Sequence, residues 1–239
     1  MKRIIPFFIL TLFLIACDSE IKPASFETTA VETSFEAEIS AVYSKAIGNS
    51  DLSKTINTNV EKAIIETLNT PEKKSDLNAV LEAFNNEYLT FKNEFSEVTE
   101  PIWELHIETE LSYQSESVIT LAISTYEFKG GAHGNDKIKF LNLDAKTGEV
   151  LNFDDLITQK DDFKTLAEEH FEKSLITKDN NLKMEDFFFG EPFHLPENIG
   201  FSEDGLVLLY NVYEVASYDR GYTEFMIPYS EVEPYLKVD

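Results

Sequence analysis

The stretch Trp103–Tyr113 reads WELHIETELSY and decides the fold class, because apolar and polar residues alternate along it. Its apolar residues fall on odd positions, while Glu104, His106 and Glu108 occupy even ones. Such alternation is typical of a β-strand that buries one face and leaves the other in water. A strand of this kind belongs to an antiparallel sheet, and its wet face here is predicted to be acidic.

Two more strands are predicted next in the chain, over Val118–Phe128 and Lys137–Leu143. Between them Tyr126–Asp136 reads YEFKGGAHGND, and its glycines suit a chain reversal because glycine accepts positive φ angles. A phosphate-binding loop would lead into a helix, whereas these glycines lead into a strand, so the nucleotide-binding interpretation fails. Asp144–Gly148, DAKTG, is predicted to form a hairpin turn.

Amphipathic elements precede these strands. Ser34–Tyr43 alternates like a further half-buried strand. Helices are expected after caps at Ser50 and Ser75, since apolar residues recur at helical spacing beyond each. Both helices carry an apolar stripe that needs a sheet to cover.

The remainder of the chain predicts a second set of elements. Asp161–Leu175 is predicted to be a helix with His170 on its apolar face, and apolar Gly205–Val215 a central strand beside Thr223–Ile227. Ser230–Glu233 matches a capping box that opens a last short helix. Strands and helices are segregated, so we predict an α+β fold in which antiparallel sheet is covered by amphipathic helices.

Two lobes are predicted, over residues 26–128 and 129–239, and we expect them to share one sheet because no flexible linker separates them.

The N-terminus predicts export. Residues 1–17 place two positive charges before an apolar run of signal-peptide length, too short for a comfortable membrane span. Leu14–Cys17, LIAC, matches the bacterial lipobox, so we expect Cys17 to become the lipidated N-terminus of an envelope protein. The alternative is an ordinary secretory signal, which would leave an unpaired thiol. Residues 18–25 are interpreted as a tether that holds the domain close to its membrane.

The chain is strongly acidic, with 44 Asp and Glu against 20 Lys and Arg. Loss of Lys2 and Arg3 with the signal leaves 18 basic residues, so the formal charge becomes −26, which is 18 minus 44. This balance argues against nucleic acid and anionic lipid as partners. It fits a basic protein partner. The alternative is that acidity only keeps the domain soluble.

His133 is the candidate catalytic or metal-binding residue of the glycine turn. A catalytic base needs a nucleophile, and a metal site needs further ligands. The other histidines, His106, His170 and His194, are dispersed along the sequence. We therefore expect a structural His133 that donates a hydrogen bond to a backbone carbonyl across the turn.

No motif points to catalysis. The pairs Asp154 and Asp155, and Asp161 and Asp162, are explained as charges at helix N-termini or in solvated loops. The sequence has no GxSxG motif, and its single cysteine, Cys17, is assigned to lipid. We predict a non-enzymatic protein without a cofactor or metal.

Tyrosines are concentrated near the C-terminus, around the stretch Ser217–Tyr222, SYDRGY. Tyrosine and arginine are favoured at protein interfaces, and tyrosine also stacks on sugar rings. Tyr218, Asp219, Arg220, Gly221 and Tyr222 are therefore a candidate contact surface. The alternative is structural, because Tyr210 and Tyr213 belong to a predicted strand and are expected to be partly core.

Two stretches together carry a resemblance to a known family. The GGAHGN turn with the following DAKTGEVLNFDDL, and the ending DGLVLLYNVYEVASYDRGYTEFMIPYSEVEPYL, resemble the RsiV-type extracellular domain of lysozyme-binding anti-sigma factors. The helical first half resembles the companion domain that is also found in the peptidoglycan deacetylase PdaC. Gly130, Gly131, Ala132 and His133 correspond to the family's turn motif.

This resemblance implies a protein-binding or envelope-sensing module, with a basic protein such as lysozyme as partner. RsiV has a membrane-spanning helix and a cytoplasmic segment, whereas this chain offers a cleaved signal and a lipid, so direct control of a sigma factor is not expected. The sequence leaves two further hypotheses, a peptidoglycan-binding module that uses the late tyrosines and a hydrolase centred on His133.

Overall fold

The computed structural model describes residues 23–68, 76–95, 101–178 and 182–238. The predicted signal peptide, Cys17, most of the predicted tether and Ser75 lie outside these residues. Among the helices of the described ranges, none is long and apolar enough to cross a bilayer. The α+β class is confirmed, because these ranges form two β-sheets together with α-helices.

The larger sheet has five strands in the order β1-β2-β3-β4-β5. They are β1 (Phe26–Ala30), β2 (Glu38–Ala46), β3 (Glu104–Gln114), β4 (Val118–Phe128) and β5 (Asn135–Asp144). Adjacent strands are antiparallel except β2 and β3, which are parallel because two helices connect them. The expected antiparallel pairing of WELHIETELSY therefore holds toward β4 only. β2 begins at Glu38 rather than Ser34, and β1 was not predicted from the sequence.

The two predicted helices cover one face of this sheet. They are α1 (Asp51–Thr67) and α2 (Leu77–Glu94), and their apolar stripes form one core with the sheet. Ser50 caps α1, since its hydroxyl accepts a hydrogen bond from Ser53 N at 3.1 Å, as predicted. The cap of α2 is Asp76 rather than Ser75, because the Asp76 carboxylate accepts from Ala79 N at 2.9 Å.

The smaller sheet has three strands, β6 (Asn198–Phe201), β7 (Gly205–Tyr210) and β8 (Thr223–Pro228), and the predicted central position of β7 is confirmed. β7 ends at Tyr210 rather than Val215, because the chain turns there and Glu214 N donates to Asn211 O. The sheet packs with α3 (Phe153–Leu156), α4 (Lys160–Lys178) and α5 (Tyr229–Val232) around a second core. In the structure, the second lobe denotes these helices, the smaller sheet and the loops between them, and β5 belongs to the first lobe.

The predicted inward face of α4 is confirmed, because the side chains of Phe163, Ala167 and Phe171 are fully buried in this second core. The capping box predicted over Ser230–Glu233 is wrong, since α5 follows Pro228 directly and no side chain caps it.

The two sheets meet at the free edge of β5. The Asn198 side chain accepts a hydrogen bond from Phe140 N at 2.6 Å and donates to Ile138 O at 2.8 Å. The Asn211 side chain accepts from Ile138 N at 2.8 Å. Side-chain amides of the second lobe thus satisfy the backbone edge that a further strand would otherwise pair with. For this reason the described residues form two sheets and not the one shared sheet that the sequence suggested.

The second lobe covers part of the outer face of the larger sheet, meaning the face opposite α1 and α2. There Asn142 Nδ2 donates to Ile199 O at 2.7 Å, and Ser112 Oγ donates to Phe201 O at 3.1 Å. Farther along the outer face, Glu108 and Ser124 are exposed. The predicted lobe boundary after Phe128 lies between β4 and β5, which pair in one sheet.

Candidate functional site

The GGAHG stretch is the turn that joins β4 to β5, as the sequence predicts. Gly130 and Gly131 have φ angles of +87° and +103°, which glycine adopts without a steric penalty. Glu127 of β4 then pairs with Asn135 of β5 across the turn. The turn is exposed at Gly131, Ala132 and His133, whereas Gly134 is buried.

His133 stands on the surface against tyrosines. Its Nδ1 lies 2.9 Å from Gly134 O, so the N–H donates to the carbonyl of the next residue, whereas the sequence predicted a bond to a carbonyl across the turn. Its ring stacks on Tyr218 with centroids 3.8 Å apart and planes 23° apart. The Tyr213 hydroxyl lies 3.5 Å from Nε2. We call His133, Tyr213 and Tyr218 the aromatic platform.

The tyrosine-rich loop reaches this turn from the second lobe. Tyr213 has a φ of +69°, a backbone conformation that residues other than glycine rarely adopt. Its side chain is 55% exposed. Its ring lies 5.5 Å from that of Tyr218, measured between centroids. The structure therefore brings together two stretches that the sequence singled out separately, because the junction of the two sheets places the loop after β7 beside the turn after β4.

The predicted contact surface is divided by the fold. Tyr218 joins the aromatic platform, and Tyr222 faces the outer face of the larger sheet beside Asp136. Arg220 instead packs on the Phe187 ring, 5.5 Å from its centroid. Asp219 accepts a hydrogen bond from Ser217 Oγ, and Gly221 ends this turn with a φ of +67°. Asp219, Arg220 and Gly221 thus shape the loop.

Gly134 connects the turn to the outer face. A Cβ on Gly134 would lie 2.3 Å from Tyr126 Cε2, so only glycine allows the Tyr126 ring to occupy this position. Tyr126 in turn stacks on His106 of β3, with centroids 5.8 Å apart and planes 18° apart. The His106 ring also lies 3.5 Å from a Glu104 carboxylate oxygen.

The surroundings keep the tyrosine hydroxyls protonated. Burial, with the nearby carboxylate of Asp136 and with Tyr218, raises the pKa of Tyr222 to about 12. The pKa of Tyr126 is raised mainly by burial and further by Glu104 and Asp136. Both side chains are therefore neutral hydrogen-bonding groups throughout the physiological pH range.

The remaining histidines lie apart from His133. His170 of α4 is mostly buried, and its Nε2 lies 3.2 Å from Glu231 of α5, a hydrogen-bonded histidine as the sequence analysis expected. His194 packs edge-on against Phe188 and Tyr210. No group of three or more His, Cys, Asp or Glu residues in the described ranges is arranged to hold a metal ion.

The paired aspartates lie in the first turns of helices, Asp154 and Asp155 in α3 and Asp161 and Asp162 in α4, as predicted. Asp154 also forms an ion pair with Lys160.

Sequence reasoning missed the outer-face residues Tyr126, His106 and Asp136 as a group. Their signal was present, since even positions of WELHIETELSY were predicted to form a wet acidic face. What the sequence did not supply was the pairing register. His106 faces Tyr126, and Tyr126 faces Asp136, across two successive strand pairs.

Two family models match the chain. The model described as deacetylase PdaC matches residues 30–136, which include the GGAHG turn, and the model described as a protein of unknown function, DUF3298, matches residues 153–230. No curated protein matches the chain by sequence.

Solved structures share the fold. A crystal structure of a DUF3298 family member from Bacteroides fragilis has a TM-score of 0.70 at 20% identity, covering 89% of this chain and 93% of that one. A DUF3298 family protein from Pseudomonas aeruginosa has a TM-score of 0.66 at 23% identity, with coverages of 91% and 96%. At these identities the likeness concerns the fold alone. The chain thus combines a PdaC-like segment and a DUF3298-like segment on the fold of solved DUF3298 proteins.

Proposed function

We propose that this chain is a non-enzymatic, lipid-anchored protein of the bacterial envelope whose acidic domain binds a basic protein. The observation that carries the proposal is the aromatic platform, in which the exposed His133 and Tyr213 stand beside Tyr218. Exposed aromatic rings anchor protein interfaces, and an excess of negative charge attracts a basic partner. A lysozyme-like protein is the first candidate partner.

The position of the platform in the sheet suits an anchored binding module. The chain enters the fold beside Gln114, whose Nε2 donates to Ala24 O at 3.0 Å, next to the start of β4. β4 has 11 residues and ends just before the GGAHG turn, so its ten steps of ~3.3 Å place the two ends of the strand about 33 Å apart. A lipid on Cys17 would hold the first end near the membrane and present the platform away from it.

Lipid attachment is tested at Cys17 directly. We expect the chain to incorporate a labelled fatty acid in a bacterial host and to sediment with membranes. Cys17→Ser should abolish both the labelling and the sedimentation. The anchoring proposal would be contradicted if neither the wild-type chain nor Cys17→Ser incorporated the labelled fatty acid and the variant still sedimented with membranes.

Partner binding is tested by capture of hen-type lysozyme. The full chain in non-ionic detergent should retain lysozyme at low salt and release it at high salt, because the attraction between exposed charges is screened. Tyr218→Ala should weaken capture, whereas Phe95→Ala, which removes an exposed aromatic ring from the helix-covered side, should not. The proposal fails if the wild-type chain captures no lysozyme at low salt.

A glycan-binding function is the second candidate, favoured by the exposed ring of Tyr213, since tyrosine rings stack on sugars. It predicts co-sedimentation with purified peptidoglycan sacculi that is insensitive to salt. Tyr218→Ala and Tyr222→Ala should then abolish the sedimentation. Co-sedimentation without lysozyme capture would replace the first proposal by this one.

A further inference from the structure

We propose that a groove on the outer face of the larger sheet binds a positively charged, extended segment of a protein partner, with a Lys or Arg side chain between the groove's tyrosines and carboxylates. This inference rests on the proposed function and assigns it a second contact, next to the aromatic platform. The groove has a volume of about 540 Å³. We call it the outer-face groove, and the residues that line it include His106, Glu108, Tyr126, Asp136 and Tyr222.

The groove arises from the way the two lobes meet. The second lobe covers one part of the outer face, and its loop brings Tyr222 to the groove, which Tyr222 lines together with Asp136 and Ile138 of β5. The floor is the sheet itself, where His106 pairs with Tyr126 and Tyr126 with Asp136 in adjacent strands. A sheet face bounded in this way accommodates an extended chain.

The carboxylates of the groove and the lysines of β5 lie on opposite sides of the sheet. Among the described residues, no Lys or Arg lines the groove, whereas Glu108 and Asp136 do, and Glu104 lies beside His106 at its end. The lysines of β5, Lys137 and Lys139, occupy the alternate positions, and Lys139 pairs with Glu66 of α1 at 2.6 Å. Because Glu108 and Asp136 form no ion pair with a lysine in the described part of the chain, a cationic ligand is the complementary occupant.

Aromatic rings and hydroxyls in the groove also match a cation. The stacked pair of His106 and Tyr126 presents ring surface, and a guanidinium or ammonium group is attracted to the face of tyrosine. Neither the Tyr126 nor the Tyr222 hydroxyl has a hydrogen-bond partner among the described residues. These hydroxyls can accept hydrogen bonds from the N–H groups of lysine or arginine.

The test uses a fluorescein-labelled hexa-arginine peptide and the full chain in non-ionic detergent, with binding followed by fluorescence anisotropy at low salt. The double variant Glu108→Gln with Asp136→Asn should raise the dissociation constant about tenfold, a loss typical of removing close charge partners. The matched control, Glu203→Gln with Asp204→Asn, removes the same charge at the opposite end of the smaller sheet, where both residues are exposed. It should change the constant less than about twofold, because a distant exposed charge contributes little.

Tyr222→Phe removes one hydroxyl and keeps the ring, so it should weaken binding about threefold, the loss of one exposed hydrogen bond. Thermal unfolding of each variant shows whether it is folded. Equal weakening by the groove variant and the control variant would mean that the peptide senses only net charge, and would overturn the proposal. Failure of the wild-type chain to bind hexa-arginine, or displacement of the peptide by an N-acetylglucosamine hexamer, would also overturn it.

These results separate the groove from the broader function. Lysozyme capture that survives the groove variant, combined with no peptide binding, leaves the proposed function standing and removes the groove. Groove-dependent peptide binding without lysozyme capture supports the groove and removes lysozyme as the partner.

Discussion

Strand β5 lies between two glycine-containing turns, and the two turns are built differently. In the turn after β5, Asp144 Oδ1 accepts hydrogen bonds from Lys146 N at 2.9 Å and Thr147 N at 2.8 Å, and the Gly148 carbonyl accepts one from Asn59 of α1. Gly148 is buried against Ile56. In the GGAHG turn before β5, a Cβ on Gly131 would meet open space, and His133 faces solvent beside Tyr213 and Tyr218 of the second lobe.

The difference shows that a glycine-rich turn has to be judged by what it contacts. The turn at Gly148 fixes the first helix to the sheet, so its role is structural. The turn at His133 also reverses the chain, but the His133 side chain is exposed, and the Tyr126 ring that packs against Gly134 lies near the carboxylates of Glu104 and Asp136. Substitutions in the turn at Gly148 should therefore affect mainly stability, and substitutions in the turn at His133 should affect mainly binding.

The largest stability effect is expected for Gly148→Ala. Its φ is +77°, and a Cβ would lie 3.0 Å from Ile56 Cγ1 and 3.1 Å from Ile56 N. Strain and overpacking together should lower the free energy of unfolding by roughly 2–4 kcal/mol. Gly131 has a φ of +103°, but a Cβ there would meet open space. Gly131→Ala should therefore lower the free energy of unfolding by only about 1–2 kcal/mol. Urea unfolding followed by Trp103 fluorescence measures both, and equal losses would contradict the contrast between the turns.

A smaller stability effect with a larger effect on binding is expected for Gly134→Ala. The backbone at Gly134 is not in the positive-φ region, so the variant acts through its Cβ, which would displace the Tyr126 ring. The cost to stability should be about 1 kcal/mol, because the end of a partly exposed side chain can move. Binding of hexa-arginine should weaken more than in Gly131→Ala, the matched control in the same turn. Unchanged binding would show that the position of Tyr126 does not matter.

The smallest stability effect concerns the ion pair that joins β5 to α1. The hydrogen bond from Lys139 lowers the pKa of Glu66, although partial burial opposes this. Because the folded pKa lies below the unfolded one, the pair stabilises the fold above about pH 4.3, the ordinary pKa of Glu. This contribution is lost as the pH falls through the folded pKa.

The same argument predicts the behaviour of Glu66→Gln. The side chains of Lys139 and Glu66 are about one-third and one-half exposed. The variant should therefore lose no more than about 1 kcal/mol of the free energy of unfolding at pH 7. The difference from wild type should disappear in acid. Unfolding curves at pH 7 and below pH 4 check this prediction, and a pH-independent difference would contradict it.

Local patterns in the sequence predicted the elements well. The alternation in WELHIETELSY and the Ser50 cap are determined by neighbouring residues, and both have their structural counterparts in β3 and α1. β1 was missed because it is short and half exposed, so it has little apolar signal. The junction of the lobes was not predicted, because nothing in the local sequence around Asn198 and Asn211 indicates that their side chains bond to the backbone of β5.

The candidate site was predicted in pieces. His133 and Tyr218 were each singled out from local composition, but their stacking depends on contacts between residues far apart in the chain. The same holds for the groove, where four strands, β2 to β5, contribute residues and the loop contributes Tyr222. Such an arrangement follows from strand register and lobe packing, which one sequence does not specify.

The most direct test of the account is the dissociation constant of lysozyme for three forms of the full chain, measured by titration calorimetry at low salt. The double variant His133→Ala with Tyr218→Ala should bind at least about tenfold more weakly than wild type, as expected for the loss of aromatic anchors. Thr147→Ala, an exposed change in the other turn, should stay within about twofold of wild type, because it lies outside the interface. Lysozyme binding that is unchanged in the double variant, or lost in Thr147→Ala, would contradict the assignment of a binding role to the turn at His133.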